Sequence, residues 1–256
     1  MTRSFPIALA LLLTACSDEP VGPEQPTSNE LFGSDFTQVV VEVDYADGAE
    51  PNTGGGVAAD DPWQLLERNL DALFDGTKQL TVPHALDEME PIGAIEGESF
   101  DSAALLELAE AHRNRLSGDG VATFYVLYVD GTYEKGGEAQ NNVLGVSIGD
   151  TGVVAMFAPV IRSAGGPVGV VERYVEQAVL VHELGHAVGL VNNGLSLTSD
   201  HHDAEHGAHC SNQDCVMYWT VEGASGAVEF VQEYVTTGDT ILFGGECLGD
   251  AHAALQ

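Results

Sequence analysis

The segment His182-Glu183-Leu184-Gly185-His186 constrains the fold of this chain more strongly than any other part of the sequence. Two histidines four positions apart lie on one face of an α-helix, about one turn from each other. Their imidazoles can therefore bind the same tetrahedral metal ion, and Glu183 lies beside them, placed to take a proton from a metal-bound water. Apolar residues at helical spacing over 170–181 precede the motif, and Gly189 can end the helix in a left-handed conformation. The sequence thus predicts a long, largely buried helix whose second half carries a metal site.

The alternative explanation of this motif is a core helix with two hydrogen-bonded histidines and no metal. Burying two histidines and a glutamate costs free energy unless a metal or hydrogen-bond partners satisfy them. A catalytic zinc usually has three protein ligands and a water. After the helix motif the chain has Asn192 in a turn-like sequence, and an amide is a poor zinc ligand. The third ligand is therefore expected further along the chain.

The segment from His209 to Met217 reads His-Cys-x4-Cys-x-Met. Together with the helix motif it resembles the metzincin clan of zinc peptidases, and the archaemetzincins in particular. The resemblance implies that His209 holds Zn²⁺ beside His182 and His186, and that Met217 supports the site from below by packing. An insertion before His209 departs from the archaemetzincin pattern, although leishmanolysin-type metzincins also carry insertions at this place. The alternative third ligands within the insertion are His201, His202 and His206.

The same resemblance implies a fold and an activity. The expected fold class is α+β with an α/β-like upper half, in which a twisted mixed sheet packs with two long helices above a small, irregular C-terminal subdomain. The expected activity is that of a zinc-dependent endopeptidase acting on extended peptide or protein substrates, with Glu183 as the general base. Two alternatives stay open: a gluzincin-type peptidase with a carboxylate such as Glu205 as third ligand, and a non-catalytic zinc-binding lipoprotein.

Hydrophobic periodicity predicts the order β-α-β-α-β-β-β ahead of the metal-binding helix. The predicted elements are a strand over 36–45, a helix over 63–74, a strand over 78–84, a loop over 87–98, a helix reaching 116, and strands over 121–129, 143–148 and 153–159. A tight turn at 149–152 joins the last two strands. We expect an antiparallel edge strand above the cleft, where an unpaired edge can bind an extended peptide by strand addition.

Three cysteines follow the metal-binding helix: Cys210, Cys215 and Cys247. An odd number of thiols in an oxidising compartment cannot pair completely within one chain. The preferred prediction is one disulfide and one free thiol. Archaemetzincins hold a second zinc with four cysteines, so the alternative here is a second zinc completed by a histidine or a carboxylate.

The N-terminal residues predict export. An apolar stretch over 7–13 is too short to span a bilayer and leads to Leu13-Thr14-Ala15-Cys16, which resembles the lipobox of bacterial lipoproteins. The resemblance implies a signal peptide over 1–15 and lipidation of Cys16, whereas an ordinary secretory signal is the alternative. Residues 16–30, rich in Pro, Ser and Glu, predict a disordered tether. Residues 31–256 then form a single zinc metallopeptidase domain.

The charge of the chain limits its partners. The sequence has 8 Lys and Arg against 40 Asp and Glu, a formal net charge of −32. Such a surface repels nucleic acid and anionic lipid headgroups, so the only membrane contact that we expect is the lipid anchor. Ser17 after Cys16 is not an aspartate-type retention signal for the inner membrane, so the expectation favours the outer membrane, with the domain periplasmic or at the cell surface.

Overall fold

The structure, a computed structural model, describes residues 25–54, 61–164, 170–237 and 240–256. The predicted signal peptide, the lipidation site Cys16 and most of the predicted tether lie outside the described residues. The last residues of the predicted tether, 25–30, lie against the domain. The side chain of Gln25 donates to the carbonyl of Thr123 at 3.2 Å, and a short helix begins at Ser28. This helix buries Leu31 and Phe32 in the core.

Eleven strands occur in the described residues. In chain order they are β1 (Gln38–Ala46), β2 (Gln79–Thr81), β3 (Glu90–Gly93), β4 (Ser99–Phe100), β5 (Val121–Val129), β6 (Thr132–Lys135), β7 (Glu138–Gln140), β8 (Gly145–Ser147), β9 (Val153–Phe157), β10 (His202–Asp203) and β11 (His209–Cys210). The helices are α1 (Ser28–Phe32), α2 (Trp63–Leu73), α3 (Ser102–His112), α4 (Ala158–Ala164), α5 (Val170–Ala187), α6 (Ala224–Thr237) and α7 (Gly245–Ala254). None of the described helices is both long and apolar enough to cross a membrane.

The main sheet has six strands. Five of them follow the order β2-β1-β5-β9-β8, and the sixth, β3, pairs with the C-terminal part of β1, whereas β2 pairs with its N-terminal part. Strand β1 is parallel to β2, β3 and β5, and β5 is parallel to β9. Strand β5 is apolar along almost its whole length, as a central parallel strand covered on both faces should be. Strand β8 is antiparallel to β9 and forms one edge of the sheet, which is the edge strand expected from the sequence.

Helix α5 runs for 18 residues and carries the two-histidine motif in its second half. It packs against β8, β9, α2 and α6, so most of its length is buried. Gly189 follows with a φ of +96°, the left-handed conformation that lets the chain leave the helix. The α+β class with a twisted mixed sheet is confirmed.

Two local predictions were wrong, and one hairpin was not predicted. Helix α3 ends at His112 rather than near 116, because the carboxylate of Glu42 accepts hydrogen bonds from the backbone N–H groups of Asn114 and Arg115 at 2.5 and 2.8 Å and holds the chain in a turn. The antiparallel hairpin of β6 and β7 was not predicted, because its strands are polar and largely exposed. The predicted loop over 87–98 contains β3, whose partner β1 is distant in sequence.

Candidate metal centre

The two histidines of α5 face each other across one helical turn. Their Nε2 atoms are 3.1 Å apart. His182 is fully buried, and its Nδ1 donates to the carbonyl of Val216 at 2.7 Å, which leaves the lone pair of Nε2 directed at His186. Burial lowers the pKa of both imidazoles to about 3, and the positive charge of neighbouring histidines adds to the effect. Both rings are therefore neutral at pH 7, which is the state that binds a metal.

His209 joins this pair from β11. Its ring centroid lies 5.2 Å from that of His182 and 4.9 Å from that of His186. Its Nδ1 donates to the carbonyl of His206 at 2.6 Å, so Nε2 is the atom turned towards the other two rings. That Nε2 is buried and makes no hydrogen bond of good geometry. A buried nitrogen that makes no well-formed hydrogen bond and faces two neutral imidazoles fits a metal ligand.

Glu222 is the fourth member of this group. The donor atoms of His182, His186, His209 and Glu222 all lie within 4.8 Å of one another. Tetrahedral zinc with Zn–N distances of about 2.0–2.1 Å requires donors about 3.3 Å apart. Small side-chain adjustments would therefore bring the imidazoles to zinc distance, and this donor set fits the ion.

The sequence did not reveal Glu222, because no motif marks its position. It ends a turn of 3₁₀ helix, Trp219–Glu222, that follows Met217 and folds the carboxylate back over the histidines. Its Oε1 lies 3.1 Å from Nε2 of His209, while 50% of the side-chain surface is exposed. Partial burial raises the pKa of Glu222, but His209 and His182 together lower it below its ordinary value. Burial lowers the pKa of His209, but Glu222 and the His206 carbonyl together raise it.

Glu183 lies on the side of α5 that faces the edge strand β8. Its Oε1 is buried with no hydrogen-bond partner among the described residues. Burial chiefly, and the charge of Glu222 in addition, raise its pKa to about 8 against the opposing effect of the Ser147 backbone. Gly145 permits the close approach, since a Cβ there would lie 3.1 Å from Cγ of Glu183. The carboxylate thus lies between the histidines and the strand edge that a peptide could join.

Met217 lies beneath α5, fully buried. Its sulfur packs so closely on Gly185 that a Cβ at that position would overlap it. Its carbonyl accepts from the backbone N–H of Cys210 at 2.8 Å, which ties the turn to the strand that carries His209. The methionine therefore supports the site by packing and does not approach it as a ligand.

The three cysteines lie together in a second cluster, and the predicted disulfide is wrong. All three are free and buried. The sulfurs of Cys215 and Cys247 are 3.6 Å apart. The side chain of His201 forms a group with Cys210 and Cys247, whose donor atoms all lie within 4.8 Å of one another. Its Nδ1 lies 3.4 Å from the sulfur of Cys210 and 4.0 Å from that of Cys247. Hydrogen bonds from the thiols of Cys215 and Cys247 lower the pKa of Cys210, which favours a thiolate.

His201 is held in this cluster by Asp250. Its Nε2 lies 2.7 Å from Oδ2 of Asp250, and both groups are buried. The other oxygen of Asp250 accepts from the backbone N–H and the hydroxyl of Thr198 at 2.6 and 2.7 Å. A carboxylate behind a histidine fixes the tautomer and turns the opposite nitrogen towards a metal. Three cysteines and one histidine are a donor set typical of structural zinc.

The other ligand candidates lie elsewhere. His206 stacks on Trp219 with ring centroids 4.2 Å apart, and it contacts Asp203. His202 contacts the carbonyl of Gly207 through Nε2, and Glu205 is exposed outside the histidine group. The carboxylate beside the histidines is thus Glu222, and the gluzincin alternative through Glu205 is not favoured.

A solved archaemetzincin structure shares this fold. The archaemetzincin of Methanopyrus kandleri is 12% identical, with 86% of this chain and 96% of that chain covered and a TM-score of 0.50. A zinc-dependent peptidase of Methanocorpusculum labreanum is 15% identical, with 84% and 100% covered and a TM-score of 0.45. No protein-family model and no curated protein matches the chain. At such low identity, the likeness to the archaemetzincin establishes the fold alone.

Proposed function

We propose that this protein is a zinc-dependent endopeptidase of the metzincin type that cleaves extended peptide or protein substrates. One observation carries the proposal. The imidazoles of His182 and His186 on α5 and of His209 on β11 converge, and Glu183 lies next to them, against the edge strand β8. The fold shared with an archaemetzincin supports it. His182, His186 and His209 are the proposed zinc ligands.

The zinc would polarise the scissile carbonyl and lower the pKa of the attacking water. Oε1 of Glu183 is buried without a hydrogen-bond partner among the described residues, and the positive charge of a bound zinc would favour the ionised carboxylate that accepts a proton. It would take the proton of the attacking water and deliver it to the leaving amine. Met217 would keep α5 and the His209 strand in register by packing on Gly185.

Strand β8 supplies the place for the substrate. It lies at one edge of the sheet, and its Gly145 lies against the side chain of Glu183. A peptide that adds to this edge as a further strand would bring a backbone carbonyl next to the histidine group. Such recognition uses main-chain hydrogen bonds, so it favours extended substrates without fixing a side-chain preference.

A second, structural zinc held by Cys210, Cys215, Cys247 and His201 belongs to the proposal. It would join the strands β10 and β11 to helix α7, and so fix the segment that carries His209.

The sequence further supports export, with Cys16 lipidated and the domain held at a bacterial membrane, for which the outer membrane is favoured. Mass spectrometry of the detergent-extracted protein would test this, since an unmodified Cys16 contradicts it.

The catalytic proposal is tested by Glu183→Gln, which keeps the shape of the side chain but removes the base. The variant should bind as much zinc as wild type and lose cleavage of a peptide library by at least 100-fold, since general-base catalysis contributes about 10²–10⁴-fold. Glu205→Gln, which changes an exposed carboxylate outside the site, is the matched control and should cleave at the wild-type rate. Wild-type cleavage by Glu183→Gln, or cleavage that persists in a zinc chelator, contradicts the mechanism.

A further inference from the structure

The number of protein donors around the proposed zinc exceeds what a catalytic site needs. A catalytic zinc keeps one position open for water or substrate, whereas a structural zinc is closed by four protein ligands. The histidine group has four donors, because the donor atoms of the three histidines and of Glu222 all lie within 4.8 Å of one another. A carboxylate beside three imidazoles would also offset part of the charge of the ion.

The backbone that carries Glu222 is well fixed. The turn Trp219–Glu222 is closed by hydrogen bonds from Val221 to Tyr218 and from Gly223 to Thr220, and Val221 is fully buried. Gly223 also forms an antiparallel bridge with Val143, just before the edge strand β8. The turn thus positions the carboxylate beside the histidines and close to strand β8, the proposed place of the substrate.

The side chain of Glu222, in contrast, is free to leave. Half of its surface is exposed, and its closest described polar contact is Nε2 of His209. That nitrogen cannot bind a metal ion and donate a hydrogen bond to the carboxylate at the same time. When His209 binds zinc, the carboxylate must therefore either bind the same ion or turn into solvent.

We propose, on the basis of the function proposed above, that Glu222 is a removable fourth zinc ligand that closes the site in the resting protein. A peptide that joins β8 passes the bridge between Val143 and Gly223 and displaces the carboxylate into solvent. The fourth position is then open to the substrate carbonyl and the attacking water. Glu222 would in this way limit hydrolysis to substrates that occupy the strand edge.

The test uses Co²⁺ in place of zinc at the histidine group, with the cysteine cluster left loaded. In Glu222→Gln, whose amide is a poor ligand, the visible d–d spectrum should change, and acetohydroxamate should bind at least tenfold more tightly because no carboxylate competes for the ion. Zinc should also dissociate to a competing chelator at least tenfold more readily. Glu205→Gln should match wild type in all three measurements.

The results separate the two proposals. If wild type and Glu222→Gln have the same Co²⁺ spectrum and the same acetohydroxamate affinity, Glu222 only pairs with His209 in metal-free protein, and this inference is wrong while the peptidase proposal stands. If wild type takes up no Co²⁺ at the histidine group, both proposals fall. A spectrum that differs between the two proteins, with tighter acetohydroxamate binding in Glu222→Gln, supports the closing ligand.

Discussion

Gly185→Ala should destabilise the protein although it removes a glycine from a helix. In the interior of an exposed helix, alanine is favoured over glycine by about 1 kcal/mol. At Gly185 the new Cβ would overlap the sulfur of Met217 and lie 3.2 Å from Cε1 of Phe243, and both side chains are buried. Overpacking of a filled core costs about 1–3 kcal/mol, and overlap with a buried sulfur lies in the upper part of this range, about 2–3 kcal/mol. After the gain of about 1 kcal/mol in helix propensity, the net change is a loss of about 1–2 kcal/mol.

The matched control is Gly249→Ala in α7. A Cβ there would lie 3.5 Å from Oγ1 of Thr198, an ordinary contact, so this variant should be neutral or stabilised by up to about 1 kcal/mol. Urea unfolding of both variants, with zinc present and thiols reduced, gives the two free energies of unfolding. Met217→Ala should relieve part of the cost of Gly185→Ala in a double-mutant cycle. Equal stability of Gly185→Ala and Gly249→Ala would refute the packing role assigned to Met217.

Two further predictions concern buried groups outside the histidine site. Burial raises the pKa of Glu176 to about 7, against an ordinary value of 4.5, although Asn52 and Tyr128 hydrogen-bond to it. Glu176 therefore stays protonated to a higher pH in the folded state than in the unfolded chain, and the free energy of unfolding should fall by up to about 3 kcal/mol between pH 4.5 and 7. Urea unfolding should show a weaker fall in Glu176→Gln. The same fall in wild type and Glu176→Gln would contradict the assignment. Asp250→Asn should weaken zinc binding at the cysteine cluster by about 10–100-fold, because it loses the carboxylate behind His201. Chelator titration followed by metal analysis measures this loss, and wild-type retention would show that Asp250 does not support a metal ligand.

The sequence predicted those parts of the site that local patterns encode. Helical spacing places His182 and His186 on one face, whatever the rest of the fold does. The segment from His209 to Met217 marked the third histidine through its resemblance to a known family, despite the long insertion before it. The parallel core strand β5 was predicted over its observed range. A strand buried on both faces has a continuous apolar run, and such a run can be recognised in the sequence.

The parts that were missed depend on pairings distant in sequence or on turns without a motif. Counting thiols favoured a disulfide over a second zinc completed by a histidine, because the sequence does not show which histidine lies beside the thiols. His201 reaches the cysteines only because β10 pairs with β11 and Asp250 of α7 holds its ring. Glu222 reaches the histidines only through the 3₁₀ turn after Met217. Neither placement follows from composition or periodicity.

The central claim is that His182, His186 and His209 bind zinc, separately from the cysteine cluster. The most direct test is zinc per chain in wild type, His209→Ala and Glu205→Ala, purified under identical metal-controlled conditions. Wild type and Glu205→Ala should contain two zinc ions per chain and His209→Ala one, because only the histidine site loses a ligand. If His209→Ala contains as much zinc as wild type, the claim is wrong.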